Sequence, residues 1–210
     1  MKYRTVIFDL DGTLVDSSDG IIRATEETLD ILGYPAMSHA EIRSYIGPPI
    51  GNSIIERNGL GADALKEFNK VFRDIYKNKY LMNATVYHGI MELLSDLSDR
   101  FVGVATNKRI DYTMILLEKI GISAYCDIIE GLDMDGTLKK RDLIERCAEA
   151  SGDSRDRIVM IGDTRSDMDA AKECGIDFIG VTYGFGFKCA EDIEYGYAAE
   201  NVQSLRDMLF

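Results

Sequence analysis

The first apolar run of the chain ends in two carboxylates that are one residue apart. Residues 5–8 are β-branched or aromatic, which is typical of a buried strand, and Asp9 and Asp11 come directly after them. The carboxyl ends of strands in an open α/β sheet border the crevice where ligands bind. Gly12 permits a close approach of backbone to a ligand. The pattern favours a divalent cation and an anionic ligand here, although Asp-Gly also occurs in plain acidic turns.

Three later segments also place polar residues after an apolar run or before a helical pattern. The run over 101–105 is followed by a hydroxyl and an amide, and the run over 158–162 by a carboxylate, with a second carboxylate four positions on. Between these two runs, a basic segment precedes a helical pattern. In chain order, the polar residues are Thr106 and Asn107, Lys139 and Lys140, and Asp163 and Asp167.

This order of motifs resembles the haloacid dehalogenase superfamily of aspartyl-phosphate hydrolases, in particular its phosphoglycolate phosphatase-like branch. The resemblance covers essentially all 210 residues, and its first and last motifs are the specific ones. It implies an α/β fold with a Rossmann-like parallel sheet core and an inserted all-helical cap domain.

The spacing of apolar residues independently divides the chain into a helical block and an alternating region. From residue 17 to about 83 the periodicity is helical, with no predicted strand. From residue 88 onward helices and strands alternate, which is the pattern of a parallel sheet covered on both faces. The helices are predicted over 17–32, 39–46, 50–57, 62–81, 88–98, 110–120, 140–150 and 166–174. The strands after the first are predicted over 101–106, 126–130, 158–162 and 177–182.

The strand that precedes Asp9 belongs to the same sheet, so the helical block is an insertion. We predict a core domain of residues 1–16 and 84–210 and a cap domain of residues 17–83. A lobe inserted at this point is expected over the carboxyl ends of the strands, with hinges at both linkers. It would close on the substrate and exclude water. A rigid lobe is the alternative.

Asp9 is the candidate nucleophile. Its carboxylate would attack phosphorus in line and form an aspartyl-phosphate, which splits one difficult displacement into two easier ones. A carboxylate attacks phosphorus poorly unless the phosphoryl charge is neutralised, and Mg²⁺ suits one or two carboxylates, waters and a phosphate oxygen. The predicted metal site comprises Asp9, the backbone carbonyl of Asp11 and Asp163, with Asp167 orienting a metal-bound water.

Asp11 is the predicted general acid to the leaving oxygen and then the general base for the attacking water. Thr106 and Asn107 are predicted at the end of the second strand, where they would donate hydrogen bonds to phosphoryl oxygens. A helix N-cap at Asn107 or Lys108 is the alternative. Gly12 and Asn107 are the substrate-binding residues predicted for the core.

Lys139 and Lys140 compete for the role of the cation beside Asp9. In the related phosphatases, the lysine precedes one residue, then an acidic residue and two aliphatic residues. Lys140 is followed by Arg-Asp-Leu-Ile, which matches this spacing, whereas the Lys-Pro-x-Pro form seen elsewhere in the superfamily is absent. Lys140 is therefore the predicted catalytic lysine, and a solvated basic helix start is the alternative.

Two further segments carry predictions. Residues 133–137 repeat the Asp-x-Asp-Gly-Thr pattern, but residues 130–132 separate Asp133 from the apolar run. Asp133 is therefore predicted in an acidic surface loop and not at a strand end. In the predicted cap, residues 47–51 resemble the substrate-specificity loop of helical-capped relatives, so Gly47 is predicted to bind substrate. An interhelical turn is the alternative.

Composition narrows the classes of partner. There are 24 Lys and Arg against 36 Asp and Glu, a net charge of −12, which disfavours binding to nucleic acid or to an anionic membrane. The four cysteines form no Cys-x-x-Cys pair, which indicates separate thiols in a reducing compartment. No apolar run approaches the roughly 18–20 residues that span a bilayer, and the start has no signal-peptide shape. We predict a soluble, cytoplasmic monomer or homodimer.

These inferences predict a Mg²⁺-dependent phosphatase that acts on a small phosphorylated metabolite, such as phosphoglycolate, a 5′-nucleotide, a sugar phosphate or pyrophosphate. A phosphomutase on the same scaffold is one alternative, and it would require a bisphosphate. A non-catalytic phospho-receiver is the other, but a receiver must leave its active face open to a partner, which an inserted cap disfavours.

Overall fold

The computed structural model describes residues 2–47, 49–134 and 137–210. The chain divides into two compact units, one formed by Met1–Asp16 with Val86–Phe210 and the other by Ser17–Thr85. The first is an α/β unit, and the second is largely helical.

The regular elements alternate in the α/β unit and are almost all helices in the other. The strands β1 to β8 are Thr5–Phe8, Val15–Asp16, Thr85–Val86, Phe101–Arg109, Ile128–Leu132, Ile158–Gly162, Asp177–Val181 and Tyr197–Ala199. The α-helices α1 to α9 are Ser18–Leu32, His39–Ser44, Ile50–Arg57, Ala62–Ile75, Ile90–Asp96, Ile110–Lys119, Lys140–Ser151, Arg165–Glu173 and Val202–Leu209.

A six-stranded sheet with the order β5-β4-β1-β6-β7-β8 is the centre of the α/β unit, and every neighbouring pair is parallel. β2 and β3 pair as a separate two-stranded sheet. All residues of β1 and β6 are buried, which explains why both read as continuous apolar runs. The predicted α/β class and parallel sheet are confirmed.

The strand order places a topological switch point between β1 and β6. The chain moves outward from β1 to β4 and β5, then returns to the opposite side of β1 at β6 and continues to β7 and β8. In doubly wound sheets of this order, ligands bind beyond the carboxyl ends of the strands at such a point. Asp9 and Asp163 are the residues that follow these two strands.

One hydrophobic cluster in the core of the α/β unit lies where α7 and α8 pack on the sheet. Its fully buried side chains come from the strands and from the helix faces turned toward them, and include Ile7, Met160 and Phe178 from strands and Leu143 and Ala171 from helices. This packing fixes the starts of α7 and α8 relative to the carboxyl ends of β1 and β6.

The amino ends of the strands carry a different set of polar contacts. The Tyr3 hydroxyl donates to Asp177 Oδ2 at 2.7 Å, and the Lys2 ammonium pairs with the same carboxylate. The buried Thr5 hydroxyl donates to Asp153 Oδ2 at 2.7 Å. These bonds tie the starts of β1 and β7 to their surroundings, at the end of the sheet away from Asp9.

The helical unit packs α1 against α4 and the segment after it. The rings of Phe68, Phe72 and Tyr76 stack in series, with centroids 6.0 and 5.6 Å apart. The single helix predicted over 62–81 is α4 followed by a π-helical turn over Tyr76–Tyr80. Gly20 on α1 permits a close approach of this turn, because a Cβ there would lie 2.4 Å from the Tyr80 carbonyl oxygen.

The prediction that Thr106 and Asn107 end their strand is wrong. β4 continues to Arg109, with an irregularity in its pairing to β5 between Thr106 and Arg109. The alternative of an N-cap at Asn107 or Lys108 is also wrong, because Arg109 is the N-cap of α6 and supplies no side-chain cap bond. Such a bulge depends on a partner strand, which local sequence does not reveal.

The prediction that Asp133 lies away from a strand end is wrong as well. β5 runs through residues 130–132, so Asp133 follows it directly. Gly131 makes this extension possible, because a Cβ there would lie 2.7 Å from the carbonyl oxygen of Lys108 in the β4 bulge. The Asp133 carboxylate accepts bonds from Thr137 and from the Leu138 N–H, so it organises its own loop. Asp135 and Gly136 lie outside the described residues.

Two elements near the end of the chain, β8 and α9, were not predicted. β8 has three residues and extends the sheet beside β7.

Among the described residues, no helix has both the length and the apolar character needed to cross a bilayer.

Candidate active site

Asp9 and Asp163 converge because β1 and β6 are neighbours in register. Phe8 pairs with Ile161, the Asp9 N–H donates to the Ile161 carbonyl oxygen at 2.8 Å, and Asp163 comes two residues after Ile161. The carboxylates of Asp9, Asp163 and Asp167 are buried, with one oxygen of each within 4.8 Å of the others. The strand order therefore assembles three acidic groups from two distant segments.

Lys140 supplies the cation that faces these carboxylates. Its Nζ lies 2.5 Å from Asp9 Oδ1 and 2.7 Å from Asp167 Oδ1, and it donates to the Ala105 carbonyl oxygen at 2.8 Å. Lys140 is the first residue of α7 and only 5% exposed, whereas Lys139 is exposed. The Lys139 N–H donates to the Asp142 carboxylate at 2.9 Å, which fixes the start of the helix and directs the next side chain inward.

The charges of these groups perturb one another. Burial raises the pKa of Asp9 to about 7, against the opposing effect of the Lys140 ammonium. Burial alone would lower the pKa of Lys140, but the carboxylates of Asp167 and Asp9 outweigh it and hold the pKa above its ordinary value. Three carboxylates around one ammonium leave an excess of negative charge that a divalent cation would neutralise.

The hydrogen bonds of Asp163 give a separate reason to consider it a metal ligand. Its Oδ2 accepts hydrogen bonds from the Phe185 and Gly186 N–H groups at 2.6 and 3.3 Å. Its Oδ1 is buried and has no hydrogen-bond partner among the described residues. Because an unpartnered buried carboxylate oxygen is costly, this atom is suited to a cation. Carboxylate oxygens are hard ligands, the class that Mg²⁺ prefers.

Asp167 is held by the start of its own helix. Its Oδ2 accepts from the Thr164 N–H and hydroxyl at 3.1 and 2.6 Å, in a capping box at the N-terminus of α8. A Cβ on Gly162 would lie 2.4 Å from the Asp167 Cβ, so only glycine at the end of β6 allows Asp167 to come this close. Asp167 is thereby fixed between the helix start and Lys140.

Asp11 pairs with a lysine that sequence reasoning did not select. Lys108 Nζ lies 3.0 Å from Asp11 Oδ2, and both side chains are mostly buried. Lys108 lies in the β4 bulge, and its N–H donates to the buried Thr106 hydroxyl oxygen at 3.1 Å. Its position directly after Thr106 and Asn107 was the available signal, but the pairing requires β4 beside β1. Asn107 lies in the same bulge and is half-buried.

The two glycines predicted to bind substrate lie in different units. Gly12 has φ 89°, and a Cβ there would lie 2.2 Å from Asp163 Oδ2, so glycine is required for this turn to approach Asp163. Gly47, with φ 137°, lies between α2 and α3 in the helical unit. Its neighbour Pro48 lies outside the described residues.

The sequence matches the family model of haloacid dehalogenase-like hydrolases over residues 6–181. The chain belongs to this family. The match runs from β1, which precedes Asp9, to the end of β7, and includes every candidate site residue named above. As a haloacid dehalogenase-like hydrolase, the chain is an enzyme.

Named relatives extend this assignment. A 5′-nucleotidase from Pseudomonas aeruginosa is 31% identical over 189 residues, which cover 89% of this chain and 86% of that protein. A phosphoglycolate phosphatase from Vibrio parahaemolyticus is 27% identical over 87% of this chain and 85% of its own length. The predicted phosphoglycolate phosphatase-like branch of the haloacid dehalogenase family is confirmed.

A kinase and a solved structure are also similar to this haloacid dehalogenase-like hydrolase. The tyrosine-protein kinase PtkA of Mycobacterium tuberculosis is 33% identical over 86% of this chain, but the match spans 62% of that kinase. The crystal structure of a predicted phosphatase from Clostridium acetobutylicum has a TM-score of 0.92 and 31% identity, covering 100% of this chain and 99% of that one.

Asp163→Asn is expected to stabilise the protein when no divalent cation is present. Burial, Asp9 and Asp167 raise the pKa of Asp163 well above 3.8, so its ionised form opposes folding. This penalty is absent below the pKa of Asp163 in the unfolded chain, grows as pH rises above that value, and is complete once pH reaches the folded pKa. An asparagine carbonyl can still accept the bonds from Phe185 and Gly186.

In EDTA near pH 8, we expect the variant to have a higher Tm than wild type, by about 2–4 °C for each 1 kcal/mol gained in the free energy of unfolding. We expect this gain to shrink toward pH 4. Calorimetry at several pH values measures it. Asp156→Asn, an exposed position before the amino end of β6, is the matched control and should change little. A lower Tm for Asp163→Asn at every pH would contradict the repulsion argument.

Proposed function

We propose that this haloacid dehalogenase-like hydrolase removes phosphate from a small phosphate monoester with Mg²⁺, through an aspartyl-phosphate on Asp9. The observation that carries the proposal is the convergence of Asp9, Lys140 and two further buried carboxylates at the switch point of the sheet. Phosphatase activity in general is supported by the family and by relatives named as a 5′-nucleotidase and a phosphoglycolate phosphatase.

In the first half-reaction, an Asp9 carboxylate oxygen attacks phosphorus and forms the aspartyl-phosphate bond while the bond to the leaving oxygen breaks. Asp11 donates its proton to that oxygen. In the second half-reaction, water attacks the same phosphorus, Asp11 accepts a proton from the water, and the bond to Asp9 breaks. The products are an alcohol and inorganic phosphate, and both aspartates are regenerated.

The remaining residues prepare Asp9 and the phosphoryl group for this reaction. Lys140 holds the attacking carboxylate in place and offsets its charge. Thr106 and Asn107 are proposed to donate hydrogen bonds to phosphoryl oxygens. When bound by Asp9, the Asp11 carbonyl and Asp163, with Asp167 close by, Mg²⁺ would supply neutralisation of the phosphoryl charge.

Ser17–Thr85 is the proposed cap, and Gly47 a proposed determinant of specificity. A cap that encloses the phosphoryl group leaves room for a limited leaving group and excludes bulk water. We therefore expect small monoesters to be better substrates than phosphorylated proteins, with water as the acceptor.

The test is a panel of phosphoglycolate, a 5′-nucleotide, a sugar phosphate, pyrophosphate and a phosphotyrosine peptide, each with Mg²⁺ and with EDTA. We expect Mg²⁺-dependent release of phosphate, with a kcat/KM at least tenfold higher for a small monoester than for the peptide. Preferred cleavage of the peptide would contradict the size limit. Turnover that requires a bisphosphate and returns a phosphorylated sugar would identify a phosphomutase instead.

A further inference from the structure

Residues 183–186, Tyr-Gly-Phe-Gly, follow β7 and contact both turns that carry the acidic motifs. We propose that this segment, here called the 183–186 clasp, is a positioning device that aims one oxygen of Asp163 at the metal and thereby sets the affinity for Mg²⁺. The inference rests on the proposed function, which supplies the metal. The residues of the clasp lie outside the four sequence motifs that carry the candidate site residues.

The two carboxylate oxygens of Asp163 have different surroundings. The clasp directs two N–H groups, from Phe185 and Gly186, at Oδ2. A third, from Phe187, donates to the Asp163 carbonyl oxygen at 2.8 Å. The carboxylate can therefore not rotate without losing the two bonds to Oδ2, and the buried Oδ1 remains for a cation.

The backbone of the clasp lies so close to Gly12 and Asp163 that only glycines fit at residues 184 and 186. A Cβ on Gly184 would lie 2.4 Å from the Gly12 carbonyl oxygen and 2.5 Å from the Asp163 Cβ. A Cβ on Gly186 would lie 2.4 Å from the Asp163 carbonyl oxygen. The clasp is thus wedged between the Asp-x-Asp-Gly-Thr turn and Asp163, and it fixes their separation.

The clasp is itself anchored by side-chain hydrogen bonds and a ring contact. The Tyr183 hydroxyl donates to the Thr13 carbonyl oxygen at 3.0 Å, and its ring meets Tyr87 edge-on at 4.8 Å. The Lys188 ammonium donates to the Phe185 carbonyl oxygen at 2.5 Å. These bonds connect the clasp to the first motif on one side and to its own continuation on the other.

The affinity for Mg²⁺ is sensitive to the exact position of the Asp163 carboxylate. The ion requires near-ideal octahedral geometry with ligands at about 2.0–2.1 Å, so a carboxylate displaced by a few tenths of an ångström binds it less well. Loss of outer-shell partners typically costs about 10–100-fold in metal affinity. A change in the clasp should therefore appear in Mg²⁺ binding before it appears in the stability of the fold.

The principal experiment titrates Mg²⁺ into substrate-free protein by calorimetry. Gly186→Ala is expected to raise the Kd by about 10–100-fold. Gly175→Ala is the control for a general loss of stability in the same unit, because its positive φ of 66° imposes backbone strain while no atom lies within 4 Å of the added Cβ. The control should keep the wild-type Kd.

A second variant, Tyr183→Phe, deletes only the hydroxyl that reaches Thr13. It is expected to raise the Mg²⁺ Kd severalfold with an unchanged circular dichroism spectrum. For both variants, kcat should return to near the wild-type value at saturating Mg²⁺, since the defect is in metal affinity. A general structural defect would lower kcat at every Mg²⁺ concentration.

Wild-type Kd values in both variants, or a loss of kcat that excess Mg²⁺ does not restore, would overturn the inference. If Gly186→Ala does not fold, Tyr183→Phe alone decides in the same way. Absence of Mg²⁺ binding by the wild-type protein would instead remove the metal from the proposed function, and the clasp's role with it.

Discussion

Asp9→Asn is expected to abolish turnover while the protein remains folded. The amide cannot form the aspartyl-phosphate, and it is a weaker ligand for a cation than a carboxylate. Its similar size preserves packing against the buried surroundings of β1, and one carboxylate fewer reduces repulsion from Asp163 and Asp167. We expect kcat below a thousandth of wild type, measured as phosphate release from the best substrate of the panel.

Trapping with beryllium fluoride gives an independent measurement of the same prediction. The fluoride adduct, a mimic of the phosphoryl group, should form on Asp9 in wild type and be absent from Asp9→Asn, as detected by fluorine NMR. Asp133→Asn is the matched control, because Asp133 also follows a strand but bonds only within its own loop in the described structure. Activity of Asp9→Asn above a tenth of wild type would rule out the covalent mechanism.

Lys140→Ala is expected to lower kcat by about 10²–10³-fold, which corresponds to roughly 3–4 kcal/mol of transition-state stabilisation. The ammonium contacts Asp9, Asp167 and the Ala105 carbonyl oxygen in a buried site. Without it, Asp9 loses its orientation, and its charge opposes the approach of a phosphoryl group. The measurement is kcat at saturating Mg²⁺, with circular dichroism to verify folding.

Lys139→Ala provides the comparison. Lys139 is adjacent in sequence and identical in charge, but its side chain is exposed and lies outside the carboxylate cluster. Its Asp142 bond uses the backbone N–H, which alanine keeps. We expect less than a threefold change in kcat. Equal losses in the two variants would show that the segment acts only as a general basic patch.

The sequence was most informative where one local pattern has one structural outcome. A fully buried strand reads as an apolar run, and a carboxylate that ends such a run lies at the edge of the sheet; both Asp9 and Asp163 were predicted on this ground. The spacing after Lys140 distinguished two adjacent lysines, because the helix start turns one inward and leaves the other exposed.

Features that depend on a neighbouring strand could not be predicted from local sequence patterns. The β4 bulge and the extension of β5 through Gly131 arise from their mutual pairing. The ion pair of Lys108 with Asp11 requires β4 to lie beside β1, which the order of motifs along the chain does not state. The contacts of residues 183–186 likewise depend on β7 lying beside β6, and in isolation their glycines resemble an ordinary turn.

The polar contacts at the amino ends of the strands have a consequence for how this enzyme can change over evolution. Tyr3, Thr5 and their aspartate partners hold the opposite edge of the sheet from the acidic cluster. We expect substitutions there to alter the free energy of folding while the reacting groups at the other edge stay in place, so that selection can change thermal stability separately from catalysis. A lineage that moves to a warmer habitat can thus gain thermal stability while it keeps the residues that carry out the reaction.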